Sequence, residues 1–107
     1  MQGVTELNAS NFDRAVLEST QPIVVDFYAP WCGPCRQLSP LLDRLAAEYA
    51  GRVTVVKVNA DSSMDLAAKY NVSGLPTLLF FKNGQIAERK AGLVPLGELK
   101  RICEKLL

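Results

Sequence analysis

The chain has 107 residues, 49% of them hydrophobic and 21% charged, with 12 Lys and Arg against 11 Asp and Glu and no histidine; at this size one domain, 1–107, buries roughly 60–70% of its unfolded surface and folds without a staple. The balanced charge gives no pull toward nucleic acid or an anionic membrane, and no stretch reaches the roughly 18 apolar residues of a membrane span. Three cysteines are too few, and odd in number, for a secreted disulfide framework, and MQGVTELNAS has neither the basic start nor the apolar core of a leader, so a soluble, cytoplasmic monomer is expected.

Val4–Leu7 reads as a short strand. Ser10 followed by Asp13 has capping-box spacing, and Phe12, Ala15 and Val16 then predict a short helix ending before Gln21-Pro22. Residues 23–29, IVVDFYA, are β-branched and aromatic as in a buried strand, with Asp26 set among them. From about 33 to 49, Leu38, Leu41, Leu42, Leu45 and Tyr49 recur at helical spacing, while Arg36, Gln37, Asp43, Arg44 and Glu48 fall outside that stripe. Pro40 predicts a kink in this helix and Gly51 its end. Val53–Val58 is the next strand, and Ser62 with Asp65 is a second capping-box pattern, opening a helix to about Tyr70. Strands at Thr77–Phe81 and Ile86–Lys90 flank Asn83-Gly84, a strong hairpin signal. A last helix from about Pro95 to Leu106 aligns Leu96, Leu99, Cys103 and Leu106, which makes Cys103 a small buried hydrophobe. The order βαβαβαββα predicts an α/β fold: a central mixed sheet of about five strands, 23–29 innermost, with four helices divided over both faces.

Trp31-Cys32-Gly33-Pro34-Cys35 puts two thiols at the strand-to-helix junction. Zinc, a static bridge, two unrelated core cysteines and redox exchange compete for the pair. Zinc wants four ligands, and the chain offers no histidine and only Cys103 in addition. A bridge closing so small a loop removes little unfolded-state entropy. Exchange needs an acidified, exposed thiol to attack and a second to release the mixed disulfide. At a helix start, free N–H groups and the macrodipole favour a thiolate on Cys32, with Cys35 one turn deeper and buried as the resolving thiol. Gly33 allows close backbone approach, Pro34 loses no helical hydrogen bond, and Trp31 supplies a flat apolar rim.

WCGPC after VDFYAP, Lys57 in VVKVNAD, Gly74-Leu75-Pro76-Thr77, Asn83-Gly84 and Gly92 together resemble thioredoxin over essentially the whole chain. The resemblance implies the thioredoxin fold and a protein-disulfide reductase, an electron carrier with no bound cofactor. It would be re-reduced by a thioredoxin reductase that uses NADPH and a flavin, and would act on disulfide-containing client proteins. The Gly-Pro spacer is similar to that of reducing members. Asp26, disfavoured in an apolar strand unless it has a task, is expected to accept the Cys35 proton, with Lys57 paired to it. The resemblance further implies a cis Leu75-Pro76 bond, although only about 5–6% of such bonds are cis in folded proteins, and a client groove walled by Gly74, Leu75, Pro76, Gly92 and Leu93. Tyr28 departs from the pattern, since many members have tryptophan there. Two other functions stay open: a non-enzymatic binding module using the Trp31 and Pro76 surface, and an exported oxidant.

Overall fold

The computed structural model describes residues 3–107. Its strands are β1 (Val4–Leu7), β2 (Ile23–Tyr28), β3 (Thr54–Asn59), β4 (Thr77–Lys82) and β5 (Gln85–Ala91). Its helices are α1 (Gly33–Glu48), α2 (Met64–Lys69) and α3 (Leu96–Leu106), with a π-helical turn at Asp13–Leu17 where the first helix is predicted. The sheet runs β1-β3-β2-β4-β5, parallel from β1 through β3 to β2 and antiparallel from β2 to β4 and β5.

β2 is innermost because its side chains, alternating across the sheet, are apolar on both faces. On one face Leu38, Leu42 and Leu45 of α1 and Leu99 and Ile102 of α3 cover Val24, Val55, Leu78 and Phe80. On the other, Phe12, Val16 and Leu66 cover Val25, Phe27, Val56 and Phe81. Asp26 shares its face with Val24, so its carboxyl lies under α1.

Neither capping box forms. Asn8 Oδ1 accepts hydrogen bonds from Ser10 N (2.9 Å) and Ser10 Oγ (2.6 Å), and Phe12 takes the cap position with no side-chain bond. Asn59 Oδ1 similarly accepts from the N–H groups of Asp61 (2.9 Å) and Ser62 (3.3 Å), so α2 begins only at Met64. In each case an asparagine makes the turn before the helix, a local competition that the Ser-to-Asp spacing does not register. Pro40 does not interrupt α1, which is continuous from Gly33 to Glu48. Pro40 and Arg36, whose carbonyl loses its helical donor to the proline, are both exposed, so the lost bond falls on the solvent side of the helix.

The hairpin turn has Asn83 and Gly84 at φ 52° and 78°, left-handed at both central positions. A Cβ at Gly84 would stand 2.7 Å from the Leu17 carbonyl oxygen. Gly84→Ala therefore adds a main-chain clash to backbone strain. It is expected to cost about 1–3 kcal/mol, read as a lower urea midpoint at unchanged m-value. No helix among the described residues is long and apolar enough to cross a membrane.

Candidate active site

β2 ends at Tyr28, and Cys32 becomes the N-cap of α1, extended at φ −84°, ψ 115°. Its Sγ accepts from Cys35 N at 3.2 Å and its carbonyl from Arg36 N at 3.2 Å. Pro34 lies in the first turn, where an N–H has no helical partner, and the space beside Gly33 is open. Cys32 and Cys35 are joined as a disulfide with Cα atoms 5.2 Å apart. Once that bond is reduced, the N–H groups at the start of α1 favour negative charge on Cys32.

Access to the sulfurs differs from expectation. The sequence predicts an exposed Cys32 above a buried Cys35, but in the disulfide form each residue is only 4% exposed. The sulfurs cover one another, and Ala29, Tyr28 and Leu75 pack around them. What separates the two is the space behind them. A cavity of about 250 Å³ is lined by Cys35, Asp26, Lys57, Tyr28 and Ser39, and Cys32 does not border it.

Asp26 is 3% exposed, and its Oδ1 has no hydrogen-bond partner among the described residues. Burial pushes its carboxyl up to about 7, against the opposing pull of Lys57. Strand register sets Glu6, Lys57 and Asp26 side by side across β1, β3 and β2. The expected Asp26–Lys57 ion pair is nevertheless not made among the described residues. The Lys57 ammonium lies 5.3 Å from the centre of the Tyr28 ring, whose hydroxyl donates to Glu6 Oε1 at 2.6 Å. Lys57 is half-buried, and its long stem carries the charged head over an aromatic face toward water, which costs less desolvation than contact beneath α1.

The Leu75-Pro76 bond is cis. Pro76 is buried, its carbonyl accepts from Gly92 N at 2.9 Å, and Thr77 Oγ1 donates to the Gly74 carbonyl at 2.6 Å, so these loops are tied together beside the disulfide. Gly92 holds φ 83°, and Leu93 beside it is exposed. Trp31 is 68% exposed, and its indole Nε1 donates to Asp61 Oδ2 at 2.7 Å. It borders a groove of about 550 Å³, with Asp61, Met64, Val72, Gly74 and Leu75 among the other walls. Sequence reasoning named Trp31, Gly74 and Leu75 and missed Asp61, Met64 and Val72. Met64 carried a signal, being an apolar residue outside the face that buries Leu66 on a one-sided short helix. Ser39 and Glu6 carried none, since both are ordinary surface types.

The thioredoxin family model matches residues 3–105. The chain belongs to the thioredoxin family. Thioredoxin 1 of Nostoc sp. is 42% identical over 107 residues, covering the whole of both chains. The thioredoxin of Haemophilus influenzae is 43% identical over 99 residues, 92% of each. The chloroplastic M-type thioredoxin of Spinacia oleracea is 46% identical over 104 residues, 97% of this chain and 58% of that relative. The chain thus spans under two thirds of the spinach protein and the full length of the cyanobacterial one. The five-stranded mixed sheet with helices on both faces is the thioredoxin fold, and a redox-type cysteine pair stands at its strand-to-helix junction.

Proposed function

We propose that this protein is a protein-disulfide reductase working by dithiol–disulfide exchange. The Cys32 thiolate attacks one sulfur of a client disulfide; the client S–S bond breaks and its departing sulfur takes a proton. Cys35 gives its proton to the Asp26 carboxylate across the shared cavity and attacks the Cys32 sulfur; the bond from Cys32 to the client breaks, the second client sulfur leaves as a thiolate that takes a proton from solvent, and the Cys32–Cys35 bond closes. Two electrons pass to the client, and two protein thiols become one disulfide. The observation that carries this reading is the buried Asp26 carboxyl, its Oδ1 without a partner among the described residues, in the same cavity as Cys35 and behind a cysteine pair at a helix start.

Gly74, Leu75, Pro76, Gly92, Leu93 and Trp31 would seat the client backbone, with the open space beside Gly33 leaving room for it. The protein would hold no cofactor and would take electrons from a thioredoxin reductase carrying flavin and using NADPH. A monomer in a reducing cytoplasm suits the free, buried Cys103. The test is catalytic: with NADPH and a thioredoxin reductase, the protein turns over a protein disulfide many times. Failure with both bacterial-type and eukaryotic-type reductases would overturn the electron source, and full biological activity of a Cys32→Ser, Cys35→Ser protein would move the function to the groove as a binding surface.

Trp31→Ala should separate client binding from chemistry. It is expected to raise KM for a protein disulfide about tenfold, the equivalent of ~1.4 kcal/mol of lost apolar contact. Reduction of a small-molecule disulfide, which does not reach the groove, should change little.

A further inference from the structure

Lys57 lies between two carboxylates, one on each neighbouring strand, and contacts neither. Its placement follows from Tyr28, two residues beyond Asp26 on the same face of β2. The tyrosine reaches across β3 to donate its hydroxyl to Glu6 on β1, and in doing so lays its ring beside the ammonium. Burial and the Glu6 carboxylate both push that hydroxyl up to about 12, so it remains a donor throughout the working pH range. Among the described residues, no other charged group is paired with the ammonium. From α1, Cys35, Arg36 and Ser39 border the cavity, with the Arg36 guanidinium donating to the Pro30 carbonyl at 2.9 Å. From β4 the residue opposite Asp26 is Leu78.

We propose that Tyr28 is a positioning residue for the resolving step: tethered to Glu6, its ring holds the Lys57 ammonium out of contact with Asp26 and keeps the cavity behind Cys35 open for proton transfer. This rests on the reading of Asp26 as the acceptor of the Cys35 proton. Without the latch, the flexible lysine stem lets the ammonium close onto the only unpartnered buried side-chain acceptor among the described residues. A contact pair there favours the carboxylate and fills the path between Asp26 and Cys35.

The test follows the Asp26 carboxyl directly by ¹³C NMR across pH, in the parent, Tyr28→Phe and Tyr28→Leu, each with Lys57 and with Lys57→Met. Tyr28→Phe removes the tether and keeps the ring, so it guards against loss of packing in Tyr28→Leu. With Lys57 present, the carboxyl midpoint should fall by about 0.5–1 pH unit in Tyr28→Leu and by less in Tyr28→Phe, the direction an approaching cation imposes. With Lys57→Met, the two substitutions should leave it where it is. An unchanged midpoint in both variants, or a fall that persists without Lys57, would overturn the latch. The pH profile of mixed-disulfide resolution is measured in parallel. If the midpoint moves as expected and the profile does not follow, the latch stands and the proton-accepting role of Asp26 falls.

Discussion

Serine at position 35 should leave a protein that begins the reaction and cannot end it. Cys32 still attacks the client, but the mixed disulfide then waits for an external thiol. An intramolecular thiol held one helical turn away acts at an effective concentration orders of magnitude above any millimolar reagent, so turnover should fall by about 10³-fold or more. The adduct should accumulate on intact-mass spectra as one client per protein, linked through Cys32. Cys32→Ser should form no adduct, because Cys35 opens onto the inner cavity and not toward a client. Near-normal turnover in Cys35→Ser, or adducts in Cys32→Ser, would reverse the two roles.

Asp26→Asn should divide kinetics from stability. Resolution of the mixed disulfide should slow by about 10²-fold or more, the usual worth of a positioned proton acceptor, while first attack by Cys32 changes little. Stability should move the other way. The Asp26 carboxyl goes from an ordinary value of 3.8 to about 7 in the folded protein. Between those values the native state binds more protons than the unfolded chain, so the contribution of Asp26 to stability is complete at low pH and is lost as pH rises through about 7. The full loss is about 4 kcal/mol, and the buried asparagine amide offsets part of the relief, so Asp26→Asn should be about 2–4 kcal/mol more stable than the parent at pH 8. Urea titrations at pH 8 and pH 3 read this as a gain at the first pH that disappears at the second. Equal slowing of attack and resolution would remove Asp26 from the proton path.

What could be read from the chain, and what could not, follows from how far each signal reaches. The continuous apolar strand around Asp26, the leucine stripe of α1 and the Asn83-Gly84 turn are dictated by neighbours a few residues away, and each is found within a residue or two of its expected place. A carboxylate in the middle of an apolar strand likewise identified itself, because Val24, Val25 and Phe27 around Asp26 mark a strand buried on both faces. Where the reading failed, a nearby competitor or a distant partner decided. Asn8 and Asn59 accept from the Ser10 and Ser62 N–H groups that the serine spacing assigned to helix caps. Lys57 was drawn away from Asp26 by Tyr28 and Glu6, which meet only through the alignment of three strands. Equal burial of Cys32 and Cys35 is a property of the closed disulfide, which no sequence spacing encodes.

Cys103 has no part in any of this chemistry. It is wholly enclosed between α3 and the sheet, and burial, with Glu104 adding to it, pushes its thiol up to about 11. A maleimide added to the reduced protein at neutral pH therefore reacts first with the Cys32 thiolate, then with Cys35 behind it, and with Cys103 only when α3 lifts from its bed. The slow phase of labelling clocks that opening, so the chain comes with its own stopwatch for breathing of the core and needs no engineered probe.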